Sequence, residues 1–164
     1  MKKQNSKYTK LLISFIVMLS SIIGGVNAQQ SMYFLPENTK IATQLSYTEF
    51  VMEPRDALNY KLENGRLIAL LNGEICDNVR TGYYLKENDK IKYYREDHSI
   101  IGYYIPSQGR YYSRSEGHND SKEQQFALLY DNLIYTVDNK PVYKIDEGFN
   151  PELVGFILFF ILAI

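Results

Sequence analysis

Four tyrosine doublets punctuate the middle of this chain: Tyr83-Tyr84, Tyr93-Tyr94, Tyr103-Tyr104 and Tyr111-Tyr112. The first three recur every ten residues, with short polar, turn-forming stretches between them. Tyrosine suits a pleated, half-buried surface, and turn signals at this spacing mark a run of short antiparallel strands. Two Asn-Gly pairs upstream reinforce the pattern. Asn64-Gly65 and Asn72-Gly73 accept positive φ at both central turn positions, which matches the right-handed twist of flanking strands. The first turn sets Leu62 opposite Leu67 and Glu63 opposite Arg66. The second sets Leu70 opposite Ile75, so apolar residues meet apolar ones and Glu63 meets a cation across the strands. Further turn signals fall at 77–78, 87–89, 97–99, 107–109, 131–132 and 138–139. The reading is a mainly β domain, an antiparallel meander of hairpin repeats closed as a small barrel or folded as a sandwich.

Side chains alternate along a strand. Loops of three residues at 87–89 and 97–99 bring Tyr83, Tyr93 and Tyr103 into one register with Ile91, Ile101 and Ile105, as a core face. The opposite face then carries Tyr84, Tyr94 and Tyr104, joined by Tyr112, which shares its side with Arg110 and Arg114. This outer stripe, with Arg110 in the tip Ser107–Ser113, is the candidate binding surface. Flat amphipathic rings stack on sugars or on a protein partner while their hydroxyls hydrogen-bond. The plainer account is that tyrosine simply fits exposed strand surfaces.

The two ends differ from this middle. Residues 1–28 read as a secretory signal: Lys2, Lys3, Lys7 and Lys10, an uncharged apolar run from Leu11 to Val26, and small residues at Val26-Asn27-Ala28. Cleavage there removes four of the 18 basic residues and none of the 19 acidic ones, leaving 14 against 19. An acidic exported domain without a basic stripe excludes nucleic acid as a partner. Cys76 is the single cysteine, so no disulfide closes within the chain, and its expected role is a small buried strand residue. At the other end, Leu153–Ile164 carries no charge. As a helix it spans about 18 Å, short of the roughly 30 Å of a bilayer core. It is apolar on every face, whereas a helix laid on a domain keeps a polar stripe. The expectation leans to contact with a membrane or a protein partner, with packing against the β-domain as the alternative. The chain thus divides into 1–28, 29–148 and 149–164.

Ser113–Gln124 is polar and reads as a long loop, trimmed by a short helix if Lys122–Tyr130 coils. Chemistry is sparsely signalled. Asp97-His98-Ser99 holds three triad residue types, but neighbours in one tight turn cannot adopt triad geometry. His118 and Asp120 offer two metal ligands in a loop, which is not a site. No phosphate loop, nucleophile elbow or paired-cysteine zinc spacing is present, so no catalytic, metal or cofactor residues are assigned.

The segment Ile75–Leu85, with Asn78 and Gly82-Tyr83-Tyr84, is echoed by Ile91–Ile105, with Asp97 and Gly102-Tyr103-Tyr104, and again by Ile134–Ile145, with Asp138-Asn139 and Tyr143. Over residues 58–148 this resembles small exported bacterial proteins built from degenerate hairpin repeats, the four-fold β-flower type. The resemblance implies fold and export and brings no catalytic residues with it. The expected function is a non-enzymatic, exported, envelope-associated β-repeat protein of structural or binding type, in the periplasm or cell envelope. The alternatives are a soluble ligand-binding or hydrolase-inhibitor module and a small hydrolase.

Overall fold

A computed structural model describes residues 29–53, 58–116 and 121–162. The expected signal segment, and the His118 and Asp120 pair, lie outside the described residues. Thirteen strands appear in chain order: β1 (Ser31–Phe34), β2 (Thr39–Ser46), β3 (Glu49–Met52), β4 (Leu58–Glu63), β5 (Arg66–Leu71), β6 (Glu74–Ile75), β7 (Gly82–Glu87), β8 (Lys90–Arg95), β9 (Ile100–Ile105), β10 (Arg110–Glu116), β11 (Ser121–Tyr130), β12 (Leu133–Thr136) and β13 (Pro141–Ile145). All pairings are antiparallel, and almost every strand pairs with its neighbour in sequence. β1 pairs with β13, and β5 joins β4 to β7, so twelve strands close into a barrel while β6 adds a short pair on β5. Closure leaves no long sheet edge to aggregate.

The hairpins form where turn chemistry allows. Asn64 and Gly65 hold φ of 51° and 81°, and Asn72 and Gly73 hold 53° and 87°, so both tight turns take left-handed backbone as their residues permit. The facing pairs Leu62↔Leu67, Glu63↔Arg66 and Leu70↔Ile75 are those read from the sequence. Two expectations fail between 113 and 130. β10 and β11 pair all along this stretch, so most of the anticipated loop is strand, and Lys122–Tyr130 is extended rather than helical. Its alternate residues, such as Ala127 and Leu129, pack toward the core, and that packing decides the conformation.

A barrel of eight strands can be filled by its own side chains; one of twelve is wider and needs something more inside. Here the C-terminal segment fills it. A helix α1 (Pro151–Phe156) continues into a π-helical turn at Ile157–Ile161. Leu153, Val154, Phe156, Ile157 and Leu158 are at most 1% exposed, and Phe159 and Phe160 are 8% exposed. They pack on Met32, Phe50, Tyr60, Leu67, Tyr93, Tyr111 and Ile134 in one continuous core. Each such apolar side chain, once buried, contributes about 1.5–3 kcal/mol. The run is apolar all round because the wall surrounds it. In this fold Leu153–Phe160 is therefore covered by the barrel, the packing given above as the alternative. No helix among the described residues is long and apolar enough to cross a membrane.

The start of α1 is held firmly. Asn150 caps it, accepting from the Glu152 N–H at 3.0 Å. The Asn150 amide donates to the Tyr47 carbonyl at 2.9 Å, and its backbone N–H donates to Gln44 Oε1 at 2.7 Å. Two buried tyrosines clasp the same turn: the Tyr93 hydroxyl donates to the Glu152 carbonyl and the Tyr111 hydroxyl to that of Pro151, each at 3.1 Å. Gly155 sits directly on the Tyr93 phenol, where a Cβ would collide with the hydroxyl. The helix can thus approach this strand only with glycine at that position.

Candidate functional site

Each doublet sends one ring into the barrel and one to its outer face. Which ring goes where depends on register. The β7–β8 turn has two central residues, Asn88 and Asp89, with Glu87 opposite Lys90. Tyr83 therefore faces Tyr94, and Tyr84 faces Tyr93. On β9 an extra residue shifts the ladder between Tyr93↔Gly102 and Tyr94↔Ile100, which sets Tyr103 opposite Lys92 and Tyr104 opposite Ile91. On β10, Tyr111 faces Tyr104 and Tyr112 faces Tyr103.

The outer stripe expected from the sequence is therefore corrected at two positions. Tyr84 and Tyr104 point inward. Tyr84 packs against Phe156, with ring centroids 5.8 Å apart, and Tyr104 is 5% exposed and stacks on Tyr111 at 4.4 Å. Tyr94 and Tyr112 lie on the outer face as expected. Tyr93 is fully buried as expected; Tyr83 turns to the outer face, and Tyr103, though 7% exposed, is buried on that face beneath Tyr112 and Glu123 rather than in the barrel interior. The reason is parity: one residue fewer in a turn, or one more in a bulge, turns every following side chain to the other face.

The outer face that results is an ordered aromatic belt across β7–β10. Tyr83 and Tyr94 stack at 5.0 Å, with rings 6° from parallel. Tyr103 and Tyr112 stack at 4.9 Å, 16° from parallel. Cations flank both pairs: the Arg66 guanidinium lies 5.8 Å from the Tyr83 ring and the Lys90 ammonium 4.6 Å from that of Tyr103. The Tyr83 hydroxyl meets His98 Nδ1 at 2.8 Å, and the Tyr103 hydroxyl donates to Glu123 Oε2 at 2.9 Å. Arg110 is exposed and, two residues before Tyr112, shares its side of β10. The belt thus contains Tyr94, Tyr112 and Arg110 from the sequence reading, and adds Tyr83, Arg66 and Lys90.

Burial raises phenols on both faces of the wall. Loss of solvent, then the Glu152 carboxylate, pushes Tyr84 up to about 12. Tyr93 and Tyr111 are raised well above the usual phenol range by burial. Burial also raises Tyr103, to about 12, with Glu123 adding to it. At neutral pH these hydroxyls are protonated donors. Inside the helix mouth Lys86 and Glu152 pair at 2.6 Å, and the hydrogen bond to Glu152 raises the lysine.

The remaining candidates for chemistry are structural. Asp97 accepts from the Ser99 N–H at 2.9 Å and its hydroxyl at 2.6 Å, closing a turn and lowering the carboxyl, while His98 turns to Tyr83. Asp97, His98 and Ser99 form no triad. Among the described residues no group of histidine, cysteine or acid side chains could hold a metal. Cys76 is a half-buried free thiol against the core. No family model, curated protein or solved structure matches this chain.

Proposed function

We propose that the chain is an exported, non-enzymatic binding protein of the bacterial envelope, and that the outer tyrosine belt is its contact surface. The observation that carries this reading is the pair of parallel stacks, Tyr83 on Tyr94 and Tyr103 on Tyr112, held side by side on a rigid sheet. Preorganised aromatic rings lose little entropy on binding, and rings flanked by cations and hydroxyls suit the apolar face and polar rim of a sugar. Export rests on the Lys-rich, apolar, small-residue order of residues 1–28. The chain carries no tryptophan, so tyrosine emission is not masked, and substitutions in the belt separate its share of the signal from that of the other tyrosines.

Titration of the purified chain with soluble cell-wall glycan fragments tests the reading. Saturable quenching is expected, weakened about tenfold or more by Tyr112→Ala or Tyr83→Ala with the far-ultraviolet dichroism unchanged. Binding indifferent to both substitutions, or no binding, would count against the belt.

A further inference from the structure

Among the described residues the barrel wall is interrupted between β6 and β7. β6 and β7 lie on the same edge of β5, pairing at Leu70–Leu71 and at Arg66, and both run antiparallel to it. They are one strand interrupted by residues 77–81. Beyond β8, the extra residue of β9 is Ile101. A cleft of about 770 Å³ opens between these two irregularities, within the size range of small-molecule sites. Phe159 and Phe160, near the end of the buried helix, line it through their small remaining accessible surface, together with Val79 and Ile101.

Three guanidinium groups line the same cleft: Arg80 from the interruption, Arg95 from the end of β8 and Arg114 from β10. Two of its three acids are already engaged. Glu96 holds Arg66 at 2.5 Å and accepts from the Thr81 hydroxyl at 3.3 Å, and Asp97 holds Ser99. Arg95 donates to the Ser99 hydroxyl at 3.0 Å. Among the described residues Arg80 and Arg114 have no ion-pair partner, and Arg114 Nε is buried with no hydrogen-bond partner. A buried donor on a charged group is costly to leave unmade. An acceptor arriving from outside removes that cost.

We infer that this cleft binds an amphiphilic organic anion, with a carboxylate or sulfonate head on Arg114 and Arg80 and an apolar body against Phe159 and Phe160. Guanidinium forks match planar or trigonal oxyanions, and an aromatic floor gives no purchase to an inorganic ion alone. Asp77 at the rim disfavours a multiply charged head. This site adjoins the tyrosine belt through the Arg66–Glu96 pair, but the arginines and phenylalanines it uses are not those of the belt, so the two are tested by different substitutions.

The test is a fluorescence titration of the purified chain with 8-anilinonaphthalene-1-sulfonate, beside its uncharged analogue N-phenyl-1-naphthylamine. The sulfonate is expected to bind with one-to-one stoichiometry, at least tenfold more tightly than the neutral compound. Arg114→Gln should weaken it about tenfold, and Lys140→Gln, remote on the β12–β13 turn, should not. Should Arg114→Gln prove misfolded by circular dichroism, Arg80→Gln, an exposed position, gives the same reading. Equal affinity for the charged and neutral probes, binding unaffected by the arginine change in a folded variant, or no binding, overturns the proposal.

Discussion

At the scale of single residues, the tyrosines divide into two populations by environment. Tyr84, Tyr93, Tyr104 and Tyr111 face the helix, and burial raises all four; Tyr103, under Tyr112 and Glu123, is raised on the outer face. A phenol whose folded pKa exceeds the free value of about 10 favours the neutral form in the native state. Its stabilising contribution is complete below pH about 10 and is lost as pH rises toward the folded value, about 12 for Tyr84 and Tyr103. Alkaline titration followed by phenolate absorbance should leave a fraction of the phenols protonated well above pH 10 while dichroism stays native, and that fraction should ionise together with unfolding. Complete ionisation of Tyr84, Tyr93, Tyr103, Tyr104 and Tyr111 near pH 10, with dichroism retained, would contradict the burial described here. Tyr94 and Tyr112 were legible as outward from alternation alone. Tyr84 and Tyr104 were not, because their face depends on one residue of turn length and one bulge, and Asn88-Asp89 reads equally well as part of a three-residue loop.

At the scale of elements, the C-terminal helix teaches the most. Its start is written in the sequence: Asn150-Pro151-Glu152 places a side-chain cap, a proline at the first helical position and an acid in the first turn. That signal fixes a helix from 151 independently of the apolar run. An all-round apolar surface points away from solvent but does not say what covers it, and here the cover is the barrel's own wall. Replacing Asn150 with alanine removes the cap and the bond to Tyr47. A loss of about 2 kcal/mol in stability is expected, from capping and buried hydrogen-bond values. Chemical denaturation checks this; a midpoint within error of the parent would show that the cap does not hold the helix in place. The hairpins were the readable elements, since Asn-Gly turns and cross-strand pairing agree locally. β11 was misread because its conformation is imposed by β10 and β12 on either side.

At the scale of the whole molecule, a local hairpin grammar builds a closed object whose closure is nonlocal. The β1–β13 pairing joins residues more than a hundred positions apart, and no short-range pattern announces it. The cleft is equally nonlocal. It exists because an interruption at 77–81 and a bulge at Ile101 fall side by side, over the end of a helix drawn from the far end of the chain. Everything outside the wall, the tyrosine belt and the arginine cleft alike, is positioned by what fills it. Hydrogen–deuterium exchange of the purified chain in detergent-free buffer tests that central claim most directly. Amides of residues 153–161 should exchange as slowly as those of β8 and β10, through global opening alone. Exchange of that segment within seconds, while the strands stay protected, would show a helix outside the barrel and contradict the account.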